Sequence, residues 1–174
     1  MPRLGFTYEI DRCTGCKACQ IACKDRNDLH EGSFFRRVDL VNYEGSLHYY
    51  SGACNHCEKP ACAEACPTKA LYSAEDGTVQ HSAGKCIGCG SCVRKCPYGA
   101  PKLSESLGIS RKCDACAELR ALGRTPVCVR ACITHCLQFG EVSEDGWIPS
   151  FLPNPEATRP ALRIVRDTGG AGDG

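Results

Sequence analysis

Little in this chain could build an ordinary apolar core. Its 174 residues include one Met, one Trp and five Phe, so side-chain burial alone would hold a chain of this length poorly, and another source of folding free energy is needed. Long apolar runs are also missing. Stretches such as Val127 to Ile133 are short and broken by Arg130, whereas a spanning helix needs about 20 apolar residues. No apolar leader opens the sequence, so neither a signal peptide nor a transmembrane segment of its own is expected. There is no excess of one charge: 21 Lys and Arg face 20 Asp and Glu, and nothing points to nucleic acid. Motifs for flavin, nicotinamide or phosphate are absent, and His30, His48, His56, His81 and His135 form no H-x-x-H or His/carboxylate site.

What is present in excess is cysteine, at 17 residues. An odd count, gathered in tight groups behind no secretory leader, argues against a disulfide framework. Zinc would accept the C-x-x-C pairs, but it does not need three cysteines at successive i+3 steps followed by a fourth. The most regular group is Cys86-Ile-Gly-Cys89-Gly-Ser-Cys92-Val-Arg-Lys-Cys96-Pro97, which matches the run found in ferredoxins that bind [4Fe-4S] cubanes. Gly88 and Gly90 let the backbone curl and aim N–H groups at sulfur. In two-cluster ferredoxins the last cysteine of such a run serves the neighbouring cluster, so one run predicts another.

Three further groups occur. Group One is Cys13, Cys16, Cys19 and Cys23; group Two is Cys54, Cys57, Cys62 and Cys66, followed by Pro67; group Three is the Cys86 run; group Four is Cys113, Cys116, Cys128 and Cys132, with an insertion from Ala117 to Val127. Between them the pattern predicts a strand over Leu4 to Ile10, a helix over Ala18 to Asn27, and a hairpin of Phe34 to Tyr43 with Leu47 to Tyr50, turned at Glu44-Gly45-Ser46. Further hairpins are expected over Leu71 to His81 and Ala100 to Lys112, and a short helix around Leu119 and Leu122 that stops at Gly123. The pair Arg36-Arg37 reads as a solvated face. The tail, rich in Pro and Gly, reads as lying against a partner, with a disordered end.

The four groups make an internal repeat. Groups Two and Three are neighbours and should form one unit, leaving One and Four to form another around it. The expected fold is α+β: two bacterial-ferredoxin-like units, one inserted in the other, with short helices, β-hairpins and an irregular C-terminal tail. The expected bounds are 1–50 plus 105–142 for the outer unit, 51–104 for the inner unit and 143–174 for the tail. The ferredoxin pattern then implies the ligand exchange: Cys13, Cys16, Cys19 and Cys132 for cluster 1; Cys54, Cys57, Cys62 and Cys96 for cluster 2; Cys86, Cys89, Cys92 and Cys66 for cluster 3; Cys113, Cys116, Cys128 and Cys23 for cluster 4. Self-alignment puts Cys136 where Ala70 stands, as a small buried residue and not a ligand. Pro67 and Pro97 follow the last cysteine of the inner groups, whereas Lys24 and Ile133 stand there in the outer ones. His56, between two ligands, is placed to tune a cluster by a hydrogen bond.

The order of the groups, together with Arg12-Cys-Thr-Gly-Cys-Lys17, Cys54-Asn-His-Cys57-Glu58, Cys96-Pro-Tyr-Gly-Ala-Pro101 and Lys112-Cys-Asp-Ala-Cys116, resembles the electron-transfer subunit of dimethyl sulfoxide reductase-type molybdoenzymes over roughly residues 4 to 142. The resemblance implies a non-catalytic subunit with four [4Fe-4S] clusters, relaying single electrons between a molybdenum or tungsten pterin catalytic subunit and a quinol-linked membrane anchor or other redox partner. It also implies a membrane-associated complex, either on the outer face by co-export with a partner that bears a twin-arginine signal or in the cytoplasm. A polyferredoxin-type subunit of a hydrogenase or formate dehydrogenase complex, or a zinc-stabilised binding module, are the competing readings. The sequence departs from the family at Ile133, His135 and Cys136, where Pro-Thr-Gly-Ala is common. Some relatives replace a group Three cysteine by Trp, but all four are present here.

Overall fold

The computed structural model describes residues 3–43, 45–142 and 151–166. Strand β1 (Arg3–Glu9) buries Phe6 and Tyr8, and Ile10 carries the same face into a 3-10 turn at Ile10–Arg12 that delivers the chain into group One. Helix α1 (Ala18–Arg26) follows, with Cys19 and Cys23 as its buried residues. This i, i+4 spacing puts both sulfurs on one face. Strands β2 (Arg37–Tyr43) and β3 (Ser46–Gly52) then form an antiparallel ribbon. Its register pairs Tyr43 with Ser46 across the predicted turn, of which Glu44 lies outside the described residues.

The middle of the chain alternates short helices with short hairpins. Helix α2 (Ala61–Glu64) buries Cys62, and β4 (Leu71–Ser73) pairs with β5 (Val79–His81). Helix α3 (Ser91–Lys95) buries Cys92, and β6 (Lys102–Ser104) pairs with β7 (Ile109–Arg111). The group Four insertion contains α4 (Ala117–Ala121), ended at Gly123, whose φ is +69° and whose N–H bonds to the Arg120 carbonyl at 2.9 Å. Glycine takes this left-handed position at a helix end without steric cost. Helix α5 (Val127–Arg130) buries Cys128, and β8 (Leu137–Val142) closes the repeat. Helix α1 packs on α5, and α2 on α3.

Strand β1 pairs antiparallel with β8, matching Phe6 to Phe139 and Tyr8 to Leu137. The first and last parts of the repeat are thereby brought side by side. On its other edge β1 pairs parallel with β9 (Leu162–Val165), giving a three-stranded sheet in the order β8-β1-β9. Residues 151–166 are therefore not the irregular tail expected from composition. They include α6 (Pro155–Thr158) and bury Leu152, Ala161, Leu162 and Ile164. Gly5 permits the approach, since a Cβ there would lie 2.0 Å from the Ala161 carbonyl oxygen, which accepts a hydrogen bond from the Phe6 N–H at 3.0 Å. Residues 143–150 and 167–174 of the predicted tail lie outside the described residues.

The returning segment also covers the group Two loop. Glu58 and Lys59 donate backbone hydrogen bonds to the carbonyls of Arg159 and Thr158, and Ala161 donates to that of Asn55 at 2.7 Å. Glu58 further takes ion pairs from Arg3 and Arg159, each at 3.1 Å. Among the described residues no helix is long and apolar enough to cross a membrane.

Candidate metal centres

All four groups begin with the same C-x-x-C loop, and in each the residue before the second cysteine has a left-handed backbone: Gly15 (φ +71°), His56 (+42°), Gly88 (+68°) and Ala115 (+55°). That turn swings the N–H groups at the loop tip back toward the first sulfur, as where the Ala115 N–H donates to Cys113 Sγ at 3.4 Å. Successive amides aimed at one point form an anion-binding concavity. Two of these positions are not glycine, and a left-handed Cβ costs roughly 1–2 kcal/mol. The repeat continues past the fourth cysteine, where Lys69, Gly99 and His135 are again left-handed and the Ala70 N–H donates to Cys66 Sγ at 3.2 Å. Cys23 differs by lying within α1, where the Asn27 side chain donates to the Cys23 carbonyl at 2.8 Å.

Twelve of the seventeen cysteines belong to or adjoin three buried assemblies. The first holds Cys19, Cys128, Cys132 and Cys136, with Cys13 against it, among Phe6, Tyr8 and Tyr50. The second gathers Cys23, Cys54 and Cys113 around Phe35, with Cys96 at its edge. The third holds Cys62 and Cys92 with Cys66 and, again, Cys96 beside them. Burial pushes the thiol pKa of Cys23 up to about 12, and that of Cys57 and of Cys62 also to about 12, with neighbouring thiolates adding to the rise. At Cys57 the neighbours responsible are Cys54, Cys62 and Cys96. The opposite holds for Cys89, which is exposed and whose pKa is lowered by the Ser91 hydroxyl and amide.

These residues fit iron–sulfur clusters. The donors are all sulfur, backbone N–H groups point at them, and Cys13, Cys16, Cys19 and Cys132 line one hollow together with Tyr8, Val38, Ser51 and Cys136. Hydroxyls lie at the sulfurs as well: the Cys92 thiol approaches Ser110 Oγ at 3.3 Å, while the Ser110 N–H donates to Cys86 Sγ at 3.4 Å. Among the described residues no three Cys, His, Asp or Glu side chains converge on a single-ion site. Two larger surface grooves, one beside His30 and Arg111 and one beside Phe34 and Tyr98, contain no cysteine.

One sequence reading changes. Arg36 is not a solvated residue: it is 2% exposed, whereas Arg37 beside it stays at the surface and pairs with Asp39 at 3.6 Å. Position in a strand decides this, because Arg36 enters β2 from the inner face and Val38 follows it inward. The imidazole of His56 is buried, and its Nδ1 accepts the Val79 N–H at 3.1 Å, so the ring proton of the neutral form sits on Nε2. Nε2 has no protein partner. Sequence reasoning missed Ser51, Ser110 and the buried Lys112, whose ammonium bonds to the carbonyls of Val79 and Cys113. Only the apolar flank Phe34-Phe35 before Arg36 and Val38 after Arg37 hinted that one of the two arginines turns inward.

Residues 46–142 match the 4Fe-4S dicluster domain family, and residues 10–27 match a 4Fe-4S binding domain. The B subunit of the anaerobic dimethyl sulfoxide reductase of Escherichia coli is 40% identical, covering 92% of this chain and 87% of its own length. The electron transfer subunit of thiosulfate reductase from Salmonella typhi is 40% identical over 79% of this chain and 75% of its own. The B subunit of polysulfide reductase from Wolinella succinogenes is 33% identical over 96% and 90%.

Proposed function

The chain belongs to the iron–sulfur electron-transfer subunits of dimethyl sulfoxide reductase-type molybdopterin oxidoreductases, and from that premise we propose that it relays single electrons through four [4Fe-4S] clusters, held by the sixteen cysteines of groups One to Four. When bound, clusters ligated only by cysteine supply one-electron gain and loss and leave no coordination site for substrate. The protein's part is to hold them in line and keep water away.

The observation that carries this reading is the order of the buried thiols. Helix α1 carries Cys19 of the first assembly and Cys23 of the second and packs on α5, which carries Cys128 of the first, and Cys96 joins the second assembly to the one holding Cys62, Cys92 and Cys66. With the ligand exchange of the ferredoxin pattern, the path runs from cluster 1 to cluster 4, then cluster 2, then cluster 3. Exposed sulfurs occur at its two ends, at Cys16 and Cys89. Support for one unit being inserted in the other comes from the pairing of β1 with β8 and of α1 with α5, outside the pairing of α2 with α3.

The partner is a catalytic subunit carrying a molybdenum or tungsten pterin, and on the other side a quinol-oxidising membrane anchor or another donor completes the path. The assembly is membrane-associated, on the outer face by co-export with the catalytic subunit or on the cytoplasmic side. Substrate choice lies with that subunit; the relatives act in dimethyl sulfoxide, thiosulfate and polysulfide reductases by name. The test is affinity purification of the tagged chain from its native cell. Co-elution of a pterin-containing subunit, and reoxidation of the dithionite-reduced chain when that subunit's substrate is added, is the expected result. Co-elution with a hydrogenase subunit alone, or a colourless zinc protein, would overturn it.

A further inference from the structure

Arg36 poses an electrostatic problem that the protein must solve. Its side chain is within the core, with the guanidinium carbon 4.4 Å from the centroid of the Phe6 ring. No carboxylate pairs with it among the described residues. Nη1 donates to the Ser51 carbonyl at 2.7 Å and to Ser51 Oγ at 3.0 Å, while Nε and Nη2 are buried with no protein partner. An uncompensated buried charge costs several kcal/mol, so a chain that keeps one here places negative charge nearby.

Phe35, next to Arg36 in sequence, packs with Cys23 and Cys113. Burial would push the guanidinium pKa down, but Cys128, Cys113, Cys19 and Cys23, negatively charged once they ligate metal, outweigh that and hold it up. These residues belong to groups One and Four, which flank the inner unit. One connection is direct enough to give a direction. A guanidinium has no acceptor, so Ser51 Oγ must accept from Arg36. As a metal ligand Cys19 Sγ is deprotonated and can only accept, so the Ser51 hydroxyl, 3.3 Å away, donates to it. Arg36 N–H to Ser51 O–H to Cys19 S is a hydrogen-bond chain polarised toward the sulfur.

We propose that Arg36 is the buried counter-cation of the two outer clusters, acting on the one held by Cys19 through Ser51 and on the one held by Cys23, Cys113 and Cys128 through its charge. This rests on the outer pairing given under the proposed function. Hydrogen bonds and positive charge at cluster sulfurs favour the reduced, more negative state. Arg36 therefore raises both reduction potentials, and Ser51 passes the effect to one of them. The Phe6 face fixes the guanidinium plane, so Arg36 is a positioning and tuning residue, not a ligand.

The experiment is a potentiometric titration of the intact complex followed by electron paramagnetic resonance, in the wild type and in Arg36→Met, Arg36→Lys and Ser51→Ala. Arg36→Met is expected to lower the potentials of two clusters and leave the other two in place. Arg36→Lys is expected to recover part of that shift, because the charge remains while the planar fork is lost. Ser51→Ala is expected to lower one cluster only, the one assigned to Cys13, Cys16, Cys19 and Cys132. Four clusters at unshifted potentials in Arg36→Met would overturn the role of Arg36, as would a shift spread equally over all four. If Arg36→Met does not load, Ser51→Ala decides: one lowered cluster supports the proposal and none overturns it. Iron and sulfide analysis of the wild type keeps the two claims apart, since fewer than four clusters there would sink the outer pairing itself, and the proposal with it.

Discussion

The sulfur of Cys136 lies 3.5 Å from that of Cys132, within the same buried assembly. Cys136 stands where Ala70 stands in the repeat, and it keeps the role of Ala70: each presents its backbone N–H to the fourth cysteine of its group. Its thiol is also the main influence holding the Cys13 pKa below the ordinary thiol value. Cys136 thus serves the site through hydrogen bonds, with Cys132 as the proposed ligand.

Cys136→Ala is therefore expected to keep every cluster, whereas Cys132→Ser is expected to lose or convert the cubane held with Cys13, Cys16 and Cys19. Damage should reach the other outer cluster before the inner pair. Electron paramagnetic resonance of the two reduced variants separates the outcomes, and a cubane lost in Cys136→Ala but kept in Cys132→Ser would reverse the assignment.

Metal removal should unfold the chain. Three of the five buried residues in the assembly around Phe35 are cysteines, and two of the four in the assembly around Leu71 and Val79. Stripped of iron, these cores would be buried thiols with little apolar area, and ligation supplies folding free energy directly. The loaded chain is expected to carry about sixteen irons. Chelation is expected to abolish most of its far-ultraviolet circular dichroism, and a near-native spectrum after complete iron loss would refute this.

Two glycine exchanges test the shared loop in opposite directions. At Gly88 a Cβ would meet the Gly108 carbonyl oxygen at 2.1 Å and the φ is +68°, so Gly88→Ala combines a backbone clash with the 1–2 kcal/mol or so of a left-handed alanine. Loss of the cluster held by Cys86 and Cys89 is expected. At the equivalent Ala115 that strain is already present, and Ala115→Gly is expected to fall within about 1 kcal/mol of the wild type because relief and backbone entropy nearly cancel. Thermal melts and iron content of both variants provide the check.

Asp76 ties the β4–β5 hairpin to group Four. One oxygen accepts from the Thr78 N–H and hydroxyl at 2.9 and 2.6 Å, and the other pairs with Arg120 at 2.6 Å. Arg120 in turn donates to the Ala115 carbonyl at 3.0 Å. Burial alone would raise the Asp76 pKa, but Thr78 and Arg120 bring it below the usual carboxylate value. A depressed carboxylate stabilises the fold above its unfolded pKa of about 4 and loses that contribution as the pH falls through the folded value. Asp76→Asn is thus expected to cost about 1 kcal/mol, given partial solvent screening, and by the same amount from pH 8 down to about 5. A cost that grew or vanished within that range, measured by denaturant titration, would contradict the assignment.

The local architecture was legible because metal ligation writes itself into spacing. The helix of Ala18, the hairpins at Asp76 and Gly108 and the stop at Gly123 all follow from turn residues and short periodic runs. What escaped the sequence depended on distant partners. Leu162–Val165 is too short to announce a strand, and its partner lies more than 150 residues away in β1; only Gly5 recorded that another backbone comes close. Arg36 was misread because charge normally marks a surface, and the cysteines near it come from separate elements, Cys19 and Cys23 on α1 and Cys113 and Cys128 far along the chain. Left-handed His56 and Ala115 carry no glycine to signal them.

Strand β1 is made first and partnered last. Both of its neighbours, β8 and β9, come from residues 137–165, while the hairpins at residues 71–81 and 102–111 close locally. During synthesis the strand at residues 3–9 is made long before either of its partners, and stays unpaired until residues 137–165 have left the ribosome. Contacts of such long sequence separation form slowly. The three-stranded sheet is thus the late step of folding, with the hairpins in the middle of the chain closed well before residues 3–9 and 137–165 have met.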